Sequence, residues 1–426
     1  MAFIDQDDKY QKWKYIISEV FVLYPDGSQT EIPAQQITSI DIIHLYEKNL
    51  FPIFKVDVVL ASVTYYKILK NKEKVKFKLR IQKFYTEIGD TEPSLVRDWI
   101  NDTFDLILDD ADYNSEESIL KEKREKIYDT VTDKELENDL YMVDNKMEFF
   151  LFKSELVDKF NKVVNAVISN ATINDGLQYI ASVAGLSNIL MTTPQNQTSY
   201  PELIIPPLKA KYAIKYLDTY YGIYKTGMMF YSDMVDGTTY LIDYSEKCTA
   251  YKPKELRETN ILIPLKSSKY SSDMCSLKKK SSTETNFIIG DNTTISIRNE
   301  TISMNAYAAT DAKFIDPYSG DITASSSTAT VKNTKSETIV ENTTENKWVS
   351  DIYKTLVDSK NVVIDVVLSD YDIAAISPNK TYKIVFEDTA LSSKYKKSLL
   401  ISEITHSLKK EGNYFTLASI ARFRQL

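Results

Sequence analysis

SPNKTYKIVFEDTALSSKYKKSLLISEITHSLKKEGNYFTLASIARFRQL, residues 377–426, carries the densest strand signals in the chain. Ser398 to Leu408 is one β-rich segment, Lys409-Lys410-Glu411-Gly412 reads as the turn, and Asn413 to Phe423 is the returning strand. On that return Phe415, Leu417, Ala421 and Phe423 share one face at a period of two, the spacing of a half-buried strand. Gly412 supplies a residue that takes positive φ without steric cost. A closing hairpin of this kind ties the last residues into a sheet.

Working outward, 426 residues suffice for more than one core and for two to four domains. A chain that is 43% hydrophobic and 26% charged is globular rather than disordered. Tyr stands at 29 against 10 Gly, a balance that suits pleated surfaces and interfaces. Codon bias in an AT-rich genome accounts for it equally well. The net charge of −8 argues against a general nucleic-acid binder. Cys248 and Cys275 are too far apart for a C-x-x-C site and too few for a disulfide framework. They read as reduced thiols of a protein made in a cytoplasm. The start, MAFIDQDDKYQKWKY, lacks the apolar run of a secretory signal, and no run of about 18 apolar residues predicts a membrane span. Sequons such as those at Asn101 and Asn342 then have no glycosylation context.

The first 85 or so residues read as β. Tyr15 to Tyr24, closed by Pro25-Asp26-Gly27, and Ile37 to Tyr46 are strands. Phe54, Val56, Val58 and Leu60 define another. In the cleanest alternation, Val75, Phe77, Leu79 and Ile81 interleave with Lys74, Lys76, Lys78 and Arg80, so one face is buried and the other wet. The basic stripe is either a solvated sheet face or a contact for phosphate or an acidic partner. Thr86 to Glu117 is acidic and the run to Asn138 is highly charged; together they read as an exposed, charged helical excursion over about 86–140, before Met147 to Phe152 restores β character. Ser154 caps a predicted helix whose apolar face runs from Leu156 through Val163, Val164, Val167 and Ile168. Thr172 to Ala184 is a second helix, stopped by Gly185. A third has Pro207 near its start and ends at Gly222. A hairpin follows around Asp236-Gly237.

Beyond Tyr251 the chain is β again, with candidate strands at Asn260–Leu265, Asn286–Ile289, Thr294–Arg298 and Thr301–Ala308. Tyr318 to Lys347 is polar loop or linker. A short helix, Trp348 to Asp358, precedes a strand carrying Val362, Ile364, Val366 and Leu368. The fold class is α+β, predominantly β. The divisions are 1–150, a β-domain with its charged excursion; 151–250, a helical block and hairpin that could lend strands to the first domain; 251–317, a β-rich connection; 318–347, the polar stretch; and 348–426, the closing strands.

Two strings resemble one family. PPLKAKYAIKYLDTYYGIYKTGMMFYSD, residues 206–233, and the closing I-x-x-I-T-H strand, Gly-containing turn and Y-F-T-L strand are similar in layout to baseplate hub proteins of contractile-tailed phages. The related spike proteins of type VI secretion share that layout. The resemblance implies two tail-tube-like β-barrels separated by the helical region, and a homotrimer whose six barrels form a ring. It implies a virion protein, assembled in the host cytoplasm, that joins tail tube or distal tube protein to central spike. Baseplate wedge proteins and the tape measure protein are further implied partners, with DNA met only in transit through the channel.

Signals for chemistry are poor. His44 and His406 are the only histidines, both in predicted strands, where packed structural roles are commonest. Phosphate-loop, dinucleotide, zincin and nucleophile-elbow motifs are missing from the sequence. S-x-x-K recurs at Ser118, Ser276, Ser377, Ser393 and Ser407 without partner motifs. Asp110, Asp112 and Asn114 imitate a calcium loop, but Ser115 replaces the Gly and Lys121 the bidentate acid. Hence no catalytic, cofactor or metal residues are nominated and the expectation is a structural protein, not an enzyme. A receptor- or carbohydrate-binding module is the alternative, though Trp13, Trp99 and Trp348 are scattered. A cell-wall hydrolase is the second alternative, with no acid pair singled out by spacing.

Overall fold

The computed structural model describes residues 9–46, 49–71, 74–87, 94–107, 144–224, 228–233, 237–243, 258–264, 276–279, 285–297, 313–315, 322–324, 339–341, 362–388, 390–391 and 398–425. It is predominantly β. The N-terminal part supplies β1 (Lys9–Leu23), β2 (Gln29–Glu31), β3 (Ile37–Leu45), β4 (Ile53–Ala61), helix α1 (Ser62–Lys70), β5 (Lys76–Glu87), β6 (Ser94–Ile107) and β7 (Asp144–Lys153). Alternation sets the faces: Val75, Phe77, Leu79 and Ile81 of β5 and its approach are buried, as are Phe54, Val56, Val58 and Leu60 of β4. The outward Lys78 and Arg80 reach Glu19 of β1 at 3.3 and 2.6 Å, and Arg80 also reaches Asp98 of β6 at 2.9 Å. The basic stripe is thus laced to acids on flanking strands, the arrangement of an ordinary wet sheet face.

The middle of the chain holds α2 (Ser154–Asn161), β8 (Val163–Ala171), α3 (Ile173–Ala184), β9 (Ile189–Met191), β10 (Tyr200–Lys209), α4 (Ala210–Tyr220), β11 (Met228–Ser232) and β12 (Thr239–Asp243). Helix α3 agrees with the sequence reading: Thr172 and Asp175 form a reciprocal capping box, and Gly185 ends it at φ 74°. Three expectations are corrected. Ser154 is the first residue of the helix rather than its cap, and its hydroxyl donates to the Asp105 carboxylate at 2.6 Å. That helix stops at Asn161, and Val163, Val164, Val167 and Ile168 lie in β8, paired with β10. β-Branched side chains lose little in a strand and more in a helix, and the partner strand decides the case. The third helix begins at Ala210, because Pro206 and Pro207 sit in β10 at a register shift between Ile205 and Leu208. Two residues without N–H groups fit such an interruption.

The later strands are β13 (Glu258–Ile263), β14 (Ser276–Lys279), β15 (Thr285–Ile297), β16 (Lys313–Ile315), β17 (Ile322–Ala324), β18 (Ile339–Glu341), β19 (Val362–Ser369), β20 (Thr381–Phe386), β21 (Leu399–Glu411) and β22 (Tyr414–Gln425). What reads as two strands around 286–298 is the single β15, with a register shift between Gly290 and Asn292 against β19. Within the polar stretch, β17 and β18 each pair with β16. Of the charged excursion expected over about 86–140, Ser94–Ile107 is strand, β6, paired with β5 and β7, rather than helix. The charged helix near 115–138, the strand at Thr301–Ala308 and the helix at Trp348–Asp358 lie outside the described residues.

A 14-stranded sheet gathers strands from both ends of the chain. Followed through its pairings, it returns on itself, and two of its circuits share one strand pair. One circuit runs β1–β5–β6–β7–β4–β3–β21–β22 and back to β1. The other runs β22–β19–β15–β13–β20–β21 and back to β22. The β21–β22 hairpin belongs to both. Its turn is Gly412-Asn413, since Glu411 already pairs with Tyr414, so Lys409 to Glu411 are strand rather than turn. Gly412 sits at φ 63°, a Gly-first loop that follows the natural twist of a hairpin. Gly412→Val is expected to cost about 1–2 kcal/mol through this backbone conformation alone, because a Cβ at that position would meet nothing within 4 Å. A shift of the urea midpoint at unchanged slope will measure it.

Candidate functional site: the wall shared by both circuits

The shared hairpin divides each of its edges between two neighbours. Along β21, residues 403–409 pair with β3, while Leu399 faces Tyr382 of β20. Along β22, residues 418–424 pair with β19, while Phe415 faces Tyr15 of β1. The handover on that second edge is made by Asp370. Its backbone N–H donates to the Leu417 carbonyl at 2.8 Å, and its carbonyl accepts from Trp13 N–H at 2.8 Å. Its carboxylate accepts from Leu417 N–H at 3.1 Å and pairs with Lys12 at 3.3 Å. Asp370 has φ 47°, a left-handed conformation that Asp tolerates better than most residues.

The inward face of this wall carries buried polar groups. Phe415, Leu417, Ala421 and Phe423 are buried as the period-two pattern predicts, and Ser419 lies in the same row at 1% exposure. Ser419 Oγ stands 2.9 Å from His406 Nδ1, and the Tyr371 hydroxyl is 3.0 Å from that nitrogen and 3.1 Å from Ser419 Oγ. On neighbouring β3, His44 Nδ1 is hydrogen-bonded to the Tyr231 hydroxyl of β11. The two histidine rings meet edge to face at 5.2 Å, and Tyr46 and Tyr231 complete the cluster at 4.6 Å. A serine beside a histidine has the composition of a nucleophile and base. With His406 only 2% exposed, no substrate reaches it, and the pair serves as packing with satisfied hydrogen bonds.

Burial pushes the His44 imidazole down to about 3. Burial, with the neighbouring His44, holds His406 well below its ordinary 6.5. Both rings are neutral in the folded protein at neutral pH, and burial raises the phenols of Tyr46 and Tyr371, which stay protonated. The unfolded chain protonates each histidine below about 6.5, so this stability is full above that value and is lost as pH falls from there toward 3. At pH 5.5 the loss is about 1.4 kcal/mol per histidine. Urea midpoints between pH 5 and 7 are expected to change more gently in His44→Gln/His406→Gln than in the native sequence. Equal slopes would contradict the account.

A second buried group was hidden in the sequence. The inward row of β5 continues past Ile81 to Lys83, which is 1% exposed. Its ammonium meets Asp372 at 2.6 Å and lies 4.9 Å from the ring centre of Trp13. Tyr15 fastens the same 370–376 loop, donating to the Tyr371 carbonyl at 3.0 Å and accepting from Ile373 N–H at 3.2 Å. Extending the alternation of 77, 79 and 81 by one step would have flagged Lys83. Asp372→Ala strands a buried cation and is expected to cost about 2 kcal/mol or more, with Lys83→Met in the same chain recovering most of it. Thermal unfolding of the single and double variants reads this out.

Among the described residues, no group of three or more His, Cys, Asp or Glu is placed to hold a metal ion. Cys248, Cys275, Asp110, Asp112, Ser118, Ser393 and Trp348 lie outside those residues. At the S-x-x-K match of Ser377, the hydroxyl bonds Asn379 and Lys380 donates to the Ala375 carbonyl at 3.0 Å, so the two side chains are not engaged with each other. Trp13 and Trp99 are buried at 8% and 6%, Trp99 packing edge-on to Tyr15, so neither offers a flat platform for a sugar. Among the described residues, no helix is long and apolar enough to cross a membrane.

A family model described as Bacteriophage PBS1 gene 109 protein matches residues 9–424. No curated protein sequence matches the chain. In fold it is similar to a tail protein from Neisseria meningitidis MC58, at 9% identity and a TM-score of 0.45, over 97% of this chain and 96% of that one. It is also similar to the prophage MuSo2 43 kDa tail protein from Shewanella oneidensis, at 10% identity and 0.44, over 94% and 96%. A Francisella PdpA-VgrG complex gives 10% identity and 0.46, over 98% of this chain and 53% of that one. The family match, over residues 9–424, is to a bacteriophage protein, in keeping with the sequence resemblance.

Proposed function

We propose that this chain, which belongs to the bacteriophage PBS1 gene 109 protein family, is the structural hub of a contractile phage tail baseplate. In this reading each pairing circuit is a tube-like β-barrel. The first is built from residues within 1–150 closed by the terminal hairpin, and the second from the strands after 251 closed by the same hairpin. Three copies then present six barrels in a ring, which matches a sixfold tail tube on one side and a threefold central spike on the other. The channel passes the tape measure protein and then DNA, and a net charge of −8 suits a conduit that must not hold a polyanion. Wedge proteins contact the outer faces, and the chain belongs in the virion after assembly in the host cytoplasm.

The observation that carries the reading is the doubly used hairpin. A strand pair common to two circuits holds them side by side with almost no freedom to rotate, as a symmetry adaptor requires of neighbouring tube-like units. The work is done by interfaces rather than by chemistry, in keeping with a histidine pair sealed inside the shared wall. Light scattering of the purified chain is expected to give three times its 48.8 kDa mass, and negative-stain micrographs a ring with a central opening. A monomer that persists at high concentration, alone and with tube and spike proteins added, would overturn the hub reading.

A further inference from the structure

We infer that a cleft between α4 and the adjoining ends of β4 and β7 is a docking site for an acidic peptide segment, bearing a large apolar side chain, from a partner protein. The cleft has a volume of about 360 Å³. Phe51, Ile53 and Phe152 form its apolar part, and Lys211, Tyr212 and Lys215 of α4 line it beside them. Lys211 and Lys215 are four residues apart, so they rise from one helix face. Among the described residues neither makes an ion pair, and no acidic side chain lines the cleft. Lys211 instead lies 4.9 Å from the Tyr212 ring centre, and Tyr212 is 50% exposed.

The floor is fixed from behind. Phe51 packs on buried Phe160 at 5.5 Å, and Phe160 packs on Phe230 at 5.6 Å. The Leu50 carbonyl accepts from Ser232 N–H at 2.7 Å, tying the segment to β11. A preformed concavity with an apolar floor and a few polar groups is the usual form of a recognition site. Charge complementarity selects the occupant. Two ammonium groups without carboxylate partners among the described residues favour an anion, and the aromatic floor favours an apolar side chain next to it. A bare phosphate or nucleic-acid backbone fills only the first requirement, and the chain's net charge of −8 repels a polyanion. Tyr212 adds the amphipathic aromatic surface common at protein interfaces.

This inference does not rest on the hub reading. The probe is a fluorescein-labelled peptide, acetyl-Asp-Glu-Phe-Asp-Leu-Glu, titrated with the full chain by anisotropy. Binding is expected, weakening with added salt, and Lys211→Glu/Lys215→Glu is expected to weaken it about tenfold or more. The charge-matched control Lys409→Glu/Lys410→Glu, at exposed positions by the tip of the β21–β22 hairpin, is expected to leave it unchanged. Circular dichroism and urea midpoints confirm that both variants fold. The proposal is overturned by no binding up to about 1 mM, or by equal loss in the control. It is also overturned if an oligothymidylate binds as tightly through the same lysines, or if the cleft variant changes the mass of the chain alone, which would make the site a self-contact.

Discussion

A strand pair has two outer edges, and every N–H and C=O along them must find a partner or water. In this chain those two edges serve four neighbours, and the rest of the sheet is arranged around that requirement. β3 and β20 share one edge of the hairpin, while β1 and β19 share the other. Neither circuit closes without it. The point of greatest geometric demand is therefore the place where one neighbour gives way to the next. There a non-glycine residue, Asp370, holds a left-handed conformation and supplies backbone and side-chain bonds to β1 and β22 together.

The polar groups of the wall follow from the same demand. An interior shared by two circuits cannot be filled by aliphatic side chains alone where the 370–376 loop must dive between strands. Tyr15, Tyr371, Ser419 and His406 satisfy the loop's backbone and each other, and Lys83 with Asp372 anchors its rim. Buried networks of this kind contribute less to net stability than to fixing one arrangement among several. That role fits the position, since a slip of one residue along β21 would turn Ile404, His406 and Leu408 away from the core.

The hairpin was legible because its outward residues are polar and its inward ones are not, the condition under which a period of two can be read. β6 was hidden because it sits within an acidic run, yet Asp98 and Asp102 are the outward residues of a strand that buries Phe104 and Leu106. Their partners, Arg80 and Lys153, lie on neighbouring strands, so the charge pattern makes sense only across the sheet. β8 misled for a different reason. Phe160, Val163, Val164, Val167 and Ile168 recur at helical spacing, while Val163 and Val167 are in fact 63% exposed on the outer side of a strand. Spacing alone could not show that β10 would be there to pair with it. The two histidines were read as structural from their strands, but that they touch each other depends on β3 meeting β21, a pairing no local pattern announces.

The use of the last hairpin by the first strands sets a schedule for the newborn chain. β1 and β3 leave the ribosome more than 300 residues ahead of their partners β22 and β21. At about 5–20 residues per second the early edges wait for tens of seconds before their partners arrive. Through that interval they are open templates for other copies on the same message. The polar and charged outward residues of β1 and β3, Glu19 and Asp41 among them, then guard the unfinished sheet as well as solvate the finished one. Synthesis order, as much as final geometry, gives a reason for such residues to lie on these strands.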